Sequence, residues 1–128
     1  MGFFVALRFL TVLPVPQRRE PGTEAVGRSL VYFPLVGLVL GLSLAGVDWV
    51  LQRRLPVSVT SGIVLLFLVL ITGANHLDGF IDTCDGLVAG KTPEQRRESM
   101  RDSRVGAFGV VGACCFLLLM YISLANLP

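Results

Sequence analysis

The sequence predicts an all-α, multi-pass membrane protein, and three observations carry that prediction. Of its 128 residues, 53% are hydrophobic and only 16% charged, whereas a soluble domain carries about a quarter charged residues. Mean hydropathy is +0.72. Two apolar runs are long enough to cross a bilayer core of about 30 Å as helices, and a third run is of marginal length. The expected architecture is a helical bundle of about three spans behind an interfacial N-terminal helix, forming one membrane domain over residues 1–128.

The opening stretch, MGFFVALRFLTVLP, is apolar but too short to cross. It fits an interfacial or re-entrant helix ending at the P-x-P of LPVPQRRE. It lacks a basic start and a small-residue cleavage site, so it does not read as a signal peptide.

The first span is Ser29–Leu51, with Pro34 placed to kink it near its start and Asp48 near its end within reach of the headgroups. Gly37 and Gly41 form a G-x-x-x-G pair with Ser43 and Ala45 nearby, a pattern that lets helices pack closely in lipid. We read it as packing inside one chain rather than as a dimer contact. After the loop QRRLP, Val57–Ala74 forms the marginal second span, and Val105–Ala125 the third.

Between the second and third spans lies the one sizeable polar segment, residues 75–104. It sets Asp78, Asp82, Asp85, Glu94, Glu98 and Asp102 against Lys91, Arg96, Arg97, Arg101 and Arg104. Within it TPEQRRESMRDSR predicts a helix, with Thr92 as N-cap, Pro93 at the first position and Gln95 completing a capping box. If the first two spans form a hairpin, the 14–28 loop and the 76–104 loop share a side. Together they hold most of the basic residues, and the positive-inside rule then puts the acidic motif in the cytoplasm.

Net charge is +2 with no basic tract, which argues against a nucleic-acid partner. Cys84, Cys114 and Cys115 match neither a CxxC motif nor a disulfide framework, and read as small packing residues.

The candidate site is the stretch NHLDGFIDTCDG. Asp78, Asp82 and Asp85 fall at i, i+4 and i+7, within an arc of roughly 60° on one helix face. Three bare carboxylates so placed repel one another, and a membrane edge adds a desolvation cost. A hard divalent cation such as Mg²⁺ resolves the conflict, because it takes carboxylate oxygens and keeps positions for water or a substrate phosphate. Gly79 and Gly86 follow two of the acids and would let a ligand approach the backbone. Arg97, Arg101 and Arg104 repeat the same spacing and could meet a metal-held diphosphate; the plainer reading is a charged surface helix in which Glu94 and Glu98 pair with nearby arginines. His76 could touch phosphate, but lies nearly opposite Asp82 if the helix already runs there. Asp102, Ser103 and Arg104 form a second polar cluster suited to substrate or a further metal contact.

HLDGFIDTCDGL followed by MRDSRVGAFGV, with ALRFLTVLPVP and FPLVGLVLG upstream, resembles the cobalamin synthase family, adenosylcobinamide-GDP ribazoletransferase. The resemblance covers essentially the whole chain. It implies a Mg²⁺-dependent enzyme of the inner membrane that joins adenosylcobinamide-GDP to α-ribazole or its 5′-phosphate and releases GMP. It assigns the family's acidic motif to Asp78, Asp82 and Asp85, as catalytic and metal-binding residues, and its D-S-R to Asp102, Ser103 and Arg104. The partners it implies are those substrates, the bilayer, and either copies of the chain or other enzymes of cobalamin assembly. Family members are roughly double this length, so the chain corresponds to the N-terminal part of the family fold.

The alternative readings are a CDP-alcohol phosphotransferase and an inactive truncated membrane fragment. The former expects an A-R after the motif glycine and a later aspartate pair, and neither is present. The N-D-x-x-D or D-D-x-x-D pattern of an intramembrane prenyltransferase is also absent. An ion transporter would place its acids at mid-membrane, whereas these follow the span.

Overall fold

The computed structural model describes residues 2–15, 22–89, 92–101 and 104–127. Every regular element among them is helical. The helices gather into two compact units, Met1–Gly73 and Ala74–Pro128.

In the first unit α1 (Gly2–Leu10) packs against α2 (Thr23–Ser29) and α3 (Phe33–Leu51), and α3 packs against α4 (Val57–Ile71). The interior is built from small side chains. Ala6, Ser29, Val36 and Thr60 have no exposed surface, and Val5, Thr11, Ser61 and Val64 are nearly as buried. Buried hydroxyls need acceptors, and most find one on their own helix: Thr11 donates to the Leu7 carbonyl at 2.6 Å, Ser29 to Val26 at 2.7 Å and Ser61 to Val57 at 2.9 Å. Phe9 stacks on Phe33 at 5.7 Å. The chain leaving α1 also serves α4, since the Val12 amide donates to the Ile71 carbonyl at 2.9 Å. That carbonyl belongs to the last turn of α4, where intrahelical donors run out.

Residues Thr23–Leu51 form one continuous helical stretch of 29 residues, with a 3₁₀ turn at Leu30–Tyr32 joining α2 to α3. Pro34 stands at the first turn of α3, where its missing N–H breaks no bond. The backbone tightens just before the proline, and α3 itself runs on from it. Leu30, Val31, Leu35, Leu38, Val39 and Leu42 are all exposed. Such a wall of apolar side chains suits lipid rather than water as its solvent. At the far end of α3 the Arg53 guanidinium lies over the Trp49 ring at 3.6 Å, and Asp48 accepts a hydrogen bond from Gln52 at 2.7 Å. An aromatic and a long basic side chain at a span's end is the pattern of a membrane–water boundary.

Thr23–Leu51 and α7 (Ala107–Ala125) are long and apolar enough to cross a membrane. The expected second span is shorter than Val57–Ala74: α4 stops at Ile71 after 15 residues, and Gly73 and Ala74 both take positive φ, 63° and 58°. Two left-handed residues in succession cannot continue a right-handed helix. By length and composition α4 counts as a span only when taken with the following helix as one broken span, which gives two spans or up to three. For the expected G-x-x-x-G seam, a Cβ at Gly37 or Gly41 would meet nothing within 4 Å among the described residues.

Candidate active site

The second unit carries the acidic motif. It consists of α5 (Asn75–Ala89), α6 (Pro93–Ser99) and α7, with α5 packed against both others. The predicted capping box is present: Thr92 Oγ1 accepts from the Gln95 amide at 3.3 Å, and the Gln95 side chain accepts from the Thr92 amide at 3.4 Å. The helix ends sooner than expected, at Ser99.

α5 and α7 run antiparallel, as the order of their contacts shows. A Cβ at Gly112 would lie 2.6 Å from Cys84 Sγ, and one at Gly109 would lie 2.7 Å from the Ile81 side chain and 2.5 Å from Asp85 Oδ2. At Gly106 the same hypothetical atom would again collide with the Asp85 carboxylate. Three glycines at i, i+3 and i+6 thus let the two backbones approach until side chains of α5 touch main chain of α7.

Asp85 uses that closeness. Its Oδ2 accepts from the Gly106 amide at 2.7 Å and its Oδ1 from the Gly109 amide at 2.8 Å. Gly106 is the N-cap of α7, so the carboxylate satisfies two amides at a helix start and meets the positive end of the helix dipole. These are charge-assisted bonds of the stronger kind.

Asp78 and Asp82 sit one turn apart on α5, the first exposed and the second half-buried. Neither carboxylate has a hydrogen-bond or ion-pair partner among the described residues. Around the α5 helix they lie between the face that meets α7, through Ile81, Cys84 and Asp85, and the side of Gly86, which meets α6. The three acids share a face as predicted, but they are not equivalent. Among the described residues no group of three His, Cys, Asp or Glu side chains is arranged to hold a metal ion. Asp85, the third acid of the expected set, has both carboxylate oxygens bonded to backbone amides.

The remaining candidates separate. His76 is exposed in the first turn of α5, about 160° around the helix from Asp78, and does not join the acids. Arg97, Arg101 and Arg104 do not share a helix face, because Arg101 lies in the turn after α6 and Arg104 in a bend before α7. Arg97 bonds Glu94 at 3.2 Å on an exposed surface, the plainer of the two readings. Arg104 lines an open groove of about 440 Å³ together with Asp85, Ser99, Val105, Gly106 and Phe108. Asp102 and Ser103 lie outside the described residues. Gly79 has open space beside it, as a ligand approach requires, but Gly86 is filled by the Met100 side chain and serves the α5–α6 contact. Cys84 packs against Gly112 as expected, whereas Cys114 and Cys115 are exposed on α7. The role of Asp85 was missed in the sequence, although the G-x-x-G-x-x-G of residues 106–112 was a visible signal that something packs there.

The chain is 50% identical over 95% of its length to the adenosylcobinamide-GDP ribazoletransferase of Geotalea daltonii, of which it covers 49%. It is 43% identical over 97% of its length to the protein of that name from Desulfitobacterium hafniense, of which it also covers 49%. For the like-named protein of Shewanella frigidimarina the values are 40%, 98% and 48%. The chain therefore spans about half the length of the curated relatives it matches. No solved structure matches it. The model of the cobalamin-5-phosphate synthase family matches residues 2–128, taking in the glycine seam, the acidic face and the apolar helices alike, and the chain belongs to that family.

Proposed function

We propose that this chain carries the phosphate-handling segment of a membrane-embedded adenosylcobinamide-GDP ribazoletransferase. The observation that carries the reading is the pair Asp78 and Asp82: two carboxylates one turn apart on α5, neither with a hydrogen-bond or ion-pair partner among the described residues. Four unshared carboxylate oxygens suit Mg²⁺, which is commonly held by one or two carboxylates, several waters and a substrate phosphate. When bound, the ion would neutralise charge on the non-bridging oxygens of the diphosphate.

In this reading a ribose hydroxyl of α-ribazole other than the 5′, which is capped in the 5′-phosphate substrate, bonds through its oxygen to the phosphorus nearer cobinamide. The bond from that phosphorus to the oxygen shared with GMP breaks, GMP leaves with the electron pair, and the hydroxyl proton passes to solvent. Asp78 and Asp82 would hold the metal, which would orient the diphosphate. Arg104, which lines the groove beside the α7 start, would offset charge on the leaving GMP. Asp102 and Ser103, adjacent in sequence, would extend that contact. The polar segment faces the cytoplasm of the inner membrane, where nucleotide-activated substrate is available; the support is that the 14–28 and 76–104 loops carry eight Lys and Arg residues, against Arg53 and Arg54 in the loop between the first two spans.

The test uses membranes containing the chain, adenosylcobinamide-GDP and α-ribazole, with GMP release followed with and without Mg²⁺. Metal-dependent release that Asp82→Ala abolishes is the expected result. Release that is indifferent to Mg²⁺ and to Asp82→Ala would sink the reading.

A further inference from the structure

We propose that Asp85 is a positioning residue rather than a third metal ligand: by gripping the Gly106 and Gly109 amides it fixes the register of α5 on α7, and so fixes where Asp78 and Asp82 stand relative to α7. The proposal rests on the transferase reading for its consequence, and on geometry for its substance.

Two independent observations meet at this carboxylate. Both oxygens accept main-chain hydrogen bonds, at 2.7 and 2.8 Å, from amides 21 and 24 residues away in sequence. The two residues that donate are glycines whose missing side chains make the room, since any Cβ at either would strike Asp85. A carboxylate that merely happened to lie near a helix end would not require glycine at both donors. Asp78 and Asp82 show neither feature, so spacing alone treats as equal three acids that the fold separates. Asp85 also sits at the edge of the α7-facing side of α5, one turn from Asp82. A slip or rotation of α5 on α7 would break both bonds at once and carry the acid pair with it.

The experiment compares Asp85→Ala, Asp85→Asn and Asp82→Ala with the unaltered chain in lipid nanodiscs. Amide exchange at Gly106 and Gly109 is read by NMR, Mn²⁺ binding by electron paramagnetic resonance, and GMP release against Mg²⁺ concentration well below the melting temperature. For Asp85→Ala we expect exchange at both amides to rise about tenfold or more, the scale set by losing a charge-assisted hydrogen bond. Mn²⁺ affinity and the Mg²⁺ half-saturation should stay within about twofold while kcat falls. Asp85→Asn keeps one acceptor oxygen and should restore part of kcat, which a merely stabilising contact would not show at this temperature. Unchanged exchange at Gly106 and Gly109 would overturn the proposal. Loss of Mn²⁺ affinity matching that of Asp82→Ala would also overturn it, by making Asp85 a ligand. An unaltered chain that neither binds Mn²⁺ nor releases GMP would defeat the transferase reading, and the positioning of a metal pair with it. Failure of the present proposal alone appears only in the Asp85 variants.

Discussion

Phe80 of α5 stacks on Phe116 of α7, with ring centroids 4.9 Å apart and planes at 30°. This pair closes one end of a seam whose other end is the Asp85 carboxylate on Gly106 and Gly109, with the Cys84–Gly112 contact between. An apolar clamp and a polar clamp thus bracket a close backbone approach. The apolar clamp supplies area and the polar one supplies register, because hydrogen bonds are directional where burial is not.

The seam predicts non-additive mutations. Gly109→Ala should destabilise the protein by about 1–3 kcal/mol, because its methyl would sit where Asp85 and Ile81 already are and cores resist overpacking. Combined with Asp85→Ala, which vacates part of that space, the double variant should lose less than the sum of the two single losses. Thermal unfolding in detergent measures all three. Strict additivity would mean that the two residues do not meet.

Phe116→Ala should weaken the same seam without touching a carboxylate. Both rings remain more than a third exposed, so the cost should fall below the roughly 3–5 kcal/mol of a fully buried phenylalanine. Proteolysis of the α5–α6 segment offers a local readout. Cleavage unchanged from that of the unaltered chain would show that the stack contributes nothing to holding α5.

The α6 cap gives a narrower prediction. Thr92→Ala removes one half of the capping box and should cost about 1 kcal/mol of local helix stability. Faster amide exchange confined to Pro93–Ser99, with α7 unaffected, is the expected pattern. A change spread over α5 and α7 would mean that the cap supports more than its own helix.

How legible each feature was depended on the range of the interaction behind it. The Thr92–Gln95 box was readable because its four residues contain the whole interaction. The apolar helices were readable because composition over a span-length window decides the preferred solvent. The task of Asp85 was not, since its partners lie more than twenty residues away and only the fold brings them near. Gly37 and Gly41 show the same limit: a small-residue pattern says that a helix permits close approach, and it does not name the neighbour. The end of α4 was hidden by Ala74, a residue whose type gives no warning of a left-handed backbone.

That junction carries a prediction of opposite signs for adjacent residues. Gly73 and Ala74 both sit at positive φ. Gly73→Ala should destabilise by about 1 kcal/mol, the scale of the left-handed penalty for a residue with a Cβ, and Ala74→Gly should relieve a penalty of similar size. Thermal unfolding of the two variants in one detergent makes the comparison direct. Equal and same-signed shifts would show that the break does not persist in the folded protein.

The acid pair yields the last prediction. If Asp78 and Asp82 hold the metal together, each of Asp78→Asn and Asp82→Asn should raise the Mg²⁺ needed for half-maximal GMP release. The rise should be at least the roughly 10–100-fold that loss of a mere outer-shell partner costs a metal site. Neither change should lower the melting temperature, because neither carboxylate bonds another described residue, and removing an acid from a repelling face relieves repulsion. Chelation of the metal should stop GMP release in the unaltered chain and leave its helical content intact, since neither acid has a hydrogen-bond or ion-pair partner among the described residues. A variant that loses stability and activity in parallel, with its Mg²⁺ requirement unchanged, would place the acid in the fold rather than at the metal. The pair can thus be separated from Asp85, whose removal is expected to do the reverse: release the α7 amides and lower kcat at an unchanged metal requirement.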